Sequence, residues 1–92
     1  MHEETEEMMP GRNIQESIPL EIQVLNRRAI EMSGFGNYPE ALKLFSLVVF
    51  IAPRFARAQY EMGRCLDNLG RHSEAVERFN KAKRLDPLYN QV

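Results

Sequence analysis

Gly36-Asn37-Tyr38-Pro39-Glu40-Ala41-Leu42-Lys43-Leu44-Phe45 and Gly70-Arg71-His72-Ser73-Glu74-Ala75-Val76-Glu77-Arg78-Phe79 align without a gap when one is slid over the other by 34 residues. Gly36 falls on Gly70, Glu40 on Glu74, Ala41 on Ala75 and Phe45 on Phe79. The register continues outward: Pro53 matches Pro87 downstream, and the small Ala29 matches Gly63 upstream. A period of this length marks a repeat of two helices, in which each copy buries its apolar face on its neighbour.

The segments around the repeat read as helices. Leu20, Val24, Leu25, Ala29 and Met32 recur at helical spacing and predict one apolar stripe. Ser17 is placed to cap this first helix and Pro19 to occupy its first turn. Gly34-Phe35-Gly36-Asn37 ends it, because glycine accepts the positive φ of a C-terminal cap. The second helix is predicted from about Tyr38 to Ile51, with Pro39 in its first turn and Pro53 preventing continuation. A third is expected from about Arg54 to Leu69, carrying Phe55, Ala58, Met62, Cys65, Leu66 and Leu69. The fourth is expected from about Ser73 to Leu85, with Ala75, Val76, Phe79, Ala82 and Leu85 facing inward. No segment has the alternation of a strand, so the expected class is all-α: two tandem helix–turn–helix hairpins forming a short α-solenoid. The predicted organisation is an acidic, mobile leader at 1–16 and a helical domain at 17–92. Its repeats fall at about 22–55 and 56–89.

Composition narrows the class further. The 92 residues are 43% hydrophobic and 27% charged, with a net charge of −1 that draws the chain to neither nucleic acid nor membrane. The charge is unevenly spread: residues 1–25 sum to −5 and residues 26–92 to +4. One cysteine, Cys65, excludes an internal disulfide, and the acidic start lacks the basic flank and apolar core of a signal peptide. The longest apolar run, Leu47 to Ala52, is too short to cross a bilayer. The expectation is a cytoplasmic protein.

The paired motifs resemble the tetratricopeptide repeat family, with the match running from Ile22 to Tyr89. The resemblance assigns Ala29 and Gly63 to the close crossing of the two helices of a hairpin. It assigns Ala41 and Ala75 to the approach of the second helix to its neighbour. Phe45 and Phe79 fill the space between hairpins, and Pro53 and Pro87 set the turn into the next unit. Departures are concentrated in the first helix of repeat one, where Arg28 and Glu31 stand opposite Met62 and Cys65. Gln59 also occupies a position where a large aromatic is common.

The family's fold implies a non-enzymatic scaffold or adaptor that holds a peptide or protein in a concave groove. The groove positions are Gln23, Asn26 and Ile30 from the first helix, and Arg57, Tyr60, Arg64, Asp67 and Asn68 from the third. Two arginines favour an acidic or mixed partner through charge-assisted hydrogen bonds, with Tyr60 as an anchor. A solvated face, with Arg57 and Arg64 beside Glu61, is the plainer reading of the same charges. Specialisation for the C-terminal carboxylate of a heat-shock chaperone is rejected, because Asn26, Ile30 and Glu61 stand where the recognising set should be and no lysine matches it. The acidic Glu3 to Glu7 could also lie against the basic groove and compete with partners.

A second surface stands out. The outward positions of the fourth helix are Glu77, Asn80, Lys81 and Arg84, but their counterparts in the second are Lys43, Ser46, Leu47 and Phe50. Leu44, Leu47 and Phe50 thus form an apolar stripe where water is expected, and such a stripe marks an interface. The leader, a second copy of the chain or another partner could cover it, and scattered surface hydrophobes are the bland alternative. Two repeats are fewer than the three or so a solenoid usually needs, which favours a homo-oligomer or a place in a larger assembly. Catalytic chemistry is not expected: Cys65 and His72 lack a third, orienting group. Two histidines and one cysteine do not make a four-ligand metal site. No cofactor is expected either, since there is no phosphate-binding glycine loop.

Overall fold

In a computed structural model of the chain, residues 18–91 are described. They form α1 (Leu20–Gly34), α2 (Tyr38–Ile51), α3 (Ala56–Asn68), α4 (His72–Leu85) and a closing 3-10 turn at Pro87–Gln91. The structure is all-α, two helical hairpins in tandem, as the 34-residue period requires. The leader at 1–16 and the proposed cap at Ser17 lie outside the described residues.

The repeat is visible down to its hydrogen bonds. Past the end of α1, the Gly36 N–H donates to the carbonyl of Ser33 at 3.0 Å and the Asn37 N–H to that of Met32 at 2.9 Å. Past α3, Gly70 donates to Asp67 at 3.0 Å and Arg71 to Leu66 at 2.9 Å. Both are Schellman caps, and they place Gly36 at φ 86° and Gly70 at φ 80°, where a β carbon would be strained. Each cap turns the chain back on itself to make a hairpin. α2 has the predicted bounds. α3 starts two residues later than predicted, because Pro53-Arg54 turns first and Phe55 serves as the N-cap residue.

Two buried clusters hold the hairpins together. Ile22, Val48, Ala52 and Ala58 form one, flanked by Ile18, Leu25, Val49 and Phe55. Ala29, Ala41, Phe45 and Cys65 form the other, with Met62 and Leu69 among the partly buried residues against it. Each draws on α1, α2 and α3, so the second repeat's first helix completes the core of the first repeat. Ala29 and Ala41 are fully buried, and Phe45 fills the space that their small side chains leave. In the second repeat Gly63 lies directly beneath the Phe79 ring.

Three apolar residues expected to face inward do not. Leu20 is 67% exposed, Val24 46% and Val76 53%. The buried face of α1 is Ile22, Asn26 and Ala29. At about 100° per residue, Val24 and Leu20 lie roughly opposite Ile22. The buried face passes through a polar residue, Asn26, which a stripe drawn only through hydrophobes misses. Val76 is the counterpart of Leu42, which packs partly buried against the second cluster. Among the described residues nothing packs over the corresponding side of α4.

Candidate functional site

α1 and α3 run along one side of the molecule with little direct packing between them, and two shallow cavities lie in the gap. One, of about 240 Å³, is lined by Ile30, Ser33 and Tyr38 on one side and Glu61, Arg64 and Asn68 on the other. The second, of about 270 Å³, includes Gln23, Asn26 and Arg27 of α1 and Phe55 and Arg57 at the start of α3. Ile30 borders both, so the two form one groove along the helix pair.

Six of the eight groove positions named from sequence line these cavities: Gln23, Asn26, Ile30, Arg57, Arg64 and Asn68. The other two are engaged elsewhere. Tyr60 stacks on Phe79, with ring centroids 5.4 Å apart, and on Tyr89 at 5.0 Å. Asp67 contacts His72 Nδ1 at 2.5 Å across the α3–α4 turn. Arg27, Ser33, Tyr38 and Phe55 line the cavities without having been singled out. Arg27 neighbours Asn26 in sequence, and Ser33 lies one helical turn beyond Ile30. Tyr38 and Phe55 enter only through the turns that bring them to the mouths of the groove.

The charges of the groove are arranged around one carboxylate. Glu61, with 15% of its side chain exposed, lies 3.9 Å from Arg57 Nε and 3.7 Å from Arg64 Nη1. Both arginine side chains are 59% exposed, so these long, solvated pairs contribute little to stability. They keep the guanidinium groups near the groove while leaving most of their donors open. Asn68 Nδ2 donates to the Arg64 carbonyl at 2.9 Å and is held against its own helix. Burial pushes the nearby Tyr89 hydroxyl's pKa up, and the Arg57 guanidinium pulls it partly back.

The outer stripe is placed less uniformly than its sequence suggests. Leu47 is 44% exposed and Phe50 84%, and Ile51 beside them is 49% exposed. Leu44 is partly buried against the second cluster and belongs mainly to the core. Burial also raises the Cys65 thiol pKa, with a hydrogen bond from the Ser33 side chain acting against it, and the Cys65 Sγ lies 3.3 Å from the Tyr38 carbonyl. Among the described residues there is no group of three or more His, Cys, Asp or Glu that could hold a metal ion. No described helix is long and apolar enough to cross a membrane.

The sequence model of the Tetratricopeptide repeat family matches residues 34–92. The chain belongs to this family. The matched region holds α2, α3 and α4, and α1 adds the other wall of the groove. A curated relative, the BBSome complex member BBS4 of Bos taurus, is 37% identical over 51 residues, which cover 55% of this chain. The chain aligns to only 10% of that protein's length. No solved structure matches the chain. Tetratricopeptide repeats are protein–protein interaction units, and this chain carries the architecture of that class.

Proposed function

We propose that the chain is an adaptor module that holds an extended segment of a partner protein in the groove between α1 and α3. The observation that carries this reading is the meeting of residues from both helices around one continuous gap, with two exposed arginines held there by a shared glutamate. A carboxylate on the partner could displace Glu61 as the acceptor of either arginine at small cost, because the existing pairs are long and solvated. The partner segment is therefore acidic or mixed in charge. The relative is named as a complex member, which supports a docking role without naming this chain's partner. A cytoplasmic setting fits the reading.

The test is binding of short peptides selected on the wild-type protein. Arg57→Ala with Arg64→Ala should weaken acidic binders about tenfold and leave the helical signal unchanged. Equal affinity for the variant and the wild type would refute the assigned charge contacts.

A second reading rests on Leu47, Phe50 and Ile51, which form an exposed apolar surface on α2. On this reading the outer face of α2 docks a second copy of the chain or another subunit, and the groove is secondary.

A further inference from the structure

A third cavity, of about 570 Å³, shares no residue with the groove. Pro39, Leu42, Lys43 and Ser46 line it from α2, and Leu69 and Arg71 from the turn between α3 and α4. It runs on into the exposed stripe, because Leu47 and Phe50 stand four residues after Lys43 and Ser46 and so lie on the same helical face. Pro39 to Phe50 spans about 17 Å of helix. The described chain begins at the Phe50 end of this face, where Ile18 packs against the cluster of Val48 and Ala52.

The residues before Ile18 match this face in both chemistry and order. Counting back from Ile18, the apolar Ile14 comes first, then Met9 and Met8, then Glu7, Glu6, Glu4 and Glu3. Along the face from the same end come Phe50 and Leu47, then Leu42 and Leu69 in the cavity, with Lys43 and Arg71 also lining it. Reach is sufficient: Met9 is nine residues from Ile18, up to about 30 Å of extended chain. Charge agrees as well, since residues 1–16 carry five Glu against one Arg, a net of −4, and residues 26–92 sum to +4. We infer that the chain's own segment 1–16 occupies the outer face of α2, with Ile14 over Leu47 and Phe50, Met8 and Met9 in the cavity, and the carboxylates of Glu3 to Glu7 beside Lys43. Methionine is unbranched and fills an irregular recess of this kind. Lys43 Nζ lies 3.9 Å from Glu40 with both side chains exposed, so it exchanges one carboxylate for another at small cost. Arg71 is held by Glu74 through Nε and Nη2, which leaves the selection of charge mainly to Lys43. The groove between α1 and α3 is lined mainly by polar and charged side chains and suits two methionines less well. The segment guards the α2 surface, and a subunit docking on Leu47, Phe50 and Ile51 must first displace it. This assignment is independent of the groove reading.

The test is methyl NMR on the full chain with labelled methionine. Met8 or Met9 should show contacts to Leu42 and Leu69 that persist on dilution at a monomeric mass, because a tethered segment competes at an effective concentration in the millimolar range. Met8→Asp with Met9→Asp should abolish them and shift the amides of Leu42, Lys43, Ser46 and Leu69. A synthetic peptide of residues 1–16 should then bind that variant about tenfold more tightly than it binds wild type, where the tethered copy already fills the site. Leader methionines that show no contact with α2 would overturn the inference and leave the face to another protein. Contacts that vanish on dilution along with a dimeric mass would assign the face to a second copy instead. Contacts to α1 and α3, with tighter binding of a groove peptide selected from a random library in the double variant, would place the segment in the groove and overturn the assignment equally.

Discussion

A β carbon at Gly63 would lie 2.7 Å from Cε1 and 2.8 Å from Cδ1 of Phe79, and 3.2 Å from the Ala75 carbonyl oxygen. An aromatic ring packed on a helix backbone cannot give way as a flexible side chain does. Gly63→Ala should therefore destabilise the fold by about 1–3 kcal/mol in chemical denaturation. At Gly34 the same added carbon meets nothing within 4 Å, and Gly34→Ala should be neutral or slightly stabilising. Equal effects at the two glycines would show that the close crossing at Gly63 is not what holds α3 to α4. The need for a small residue at Gly63 was legible because Ala29 stands one repeat earlier. The role of Gln59 was not, since its partners Pro53 and Arg78 lie on opposite sides of the α3 sequence and only the fold brings them together. Asn26 was placed in the groove by resemblance, but its burial was hidden because nothing in the local sequence distinguishes a buried amide from a solvated one.

At the scale of the helix, the best-read boundaries were those marked by backbone chemistry. Prolines and Schellman glycines fix where α2 starts and stops and where both hairpins turn, and these constraints are local. The inward face of α1 was misread because helical periodicity was followed through Leu20 and Val24, away from the polar residue that is buried. Leu44 was drawn into the outer stripe for a related reason: residues at the border between two faces are settled by what packs beside them. The first turn of α4 has its own electrostatic device. Arg71, the N-cap residue, grips Glu74 with Nε at 3.0 Å from Oε2 and Nη2 at 2.8 Å from Oε1. That hydrogen bond holds the Glu74 carboxyl below its ordinary value of 4.5. The contribution is present above the ordinary pKa and is lost as pH falls through the lowered folded value. A carboxyl-carbon NMR titration should find Glu74 titrating below the ordinary value of 4.5, and Arg71→Gln should move it back up. An unchanged Glu74 midpoint in that variant would remove Arg71 as the cause.

For the whole molecule, the 34-residue period was enough to establish the class and the number of hairpins, and the family resemblance built on it implied the side on which a groove could form. It could not decide which surface carries function, since that depends on how exposed side chains meet across helices. The two surfaces make opposite predictions. If α2 docks another copy or subunit, Leu47→Glu with Phe50→Glu should change the solution mass or abolish capture by that subunit, with helicity retained. If the groove is the working surface, the same variant should bind selected peptides with wild-type affinity at an unchanged mass. Sedimentation and titration of the one variant distinguish these outcomes. The most direct measurement is amide chemical-shift mapping of the wild-type protein with a peptide selected from the random library. Binding in the groove predicts shifts concentrated on α1 from Gln23 to Ile30 and on α3 from Arg57 to Asn68. Shifts confined to Leu44–Ile51 on α2, with α1 and α3 unmoved, would contradict it.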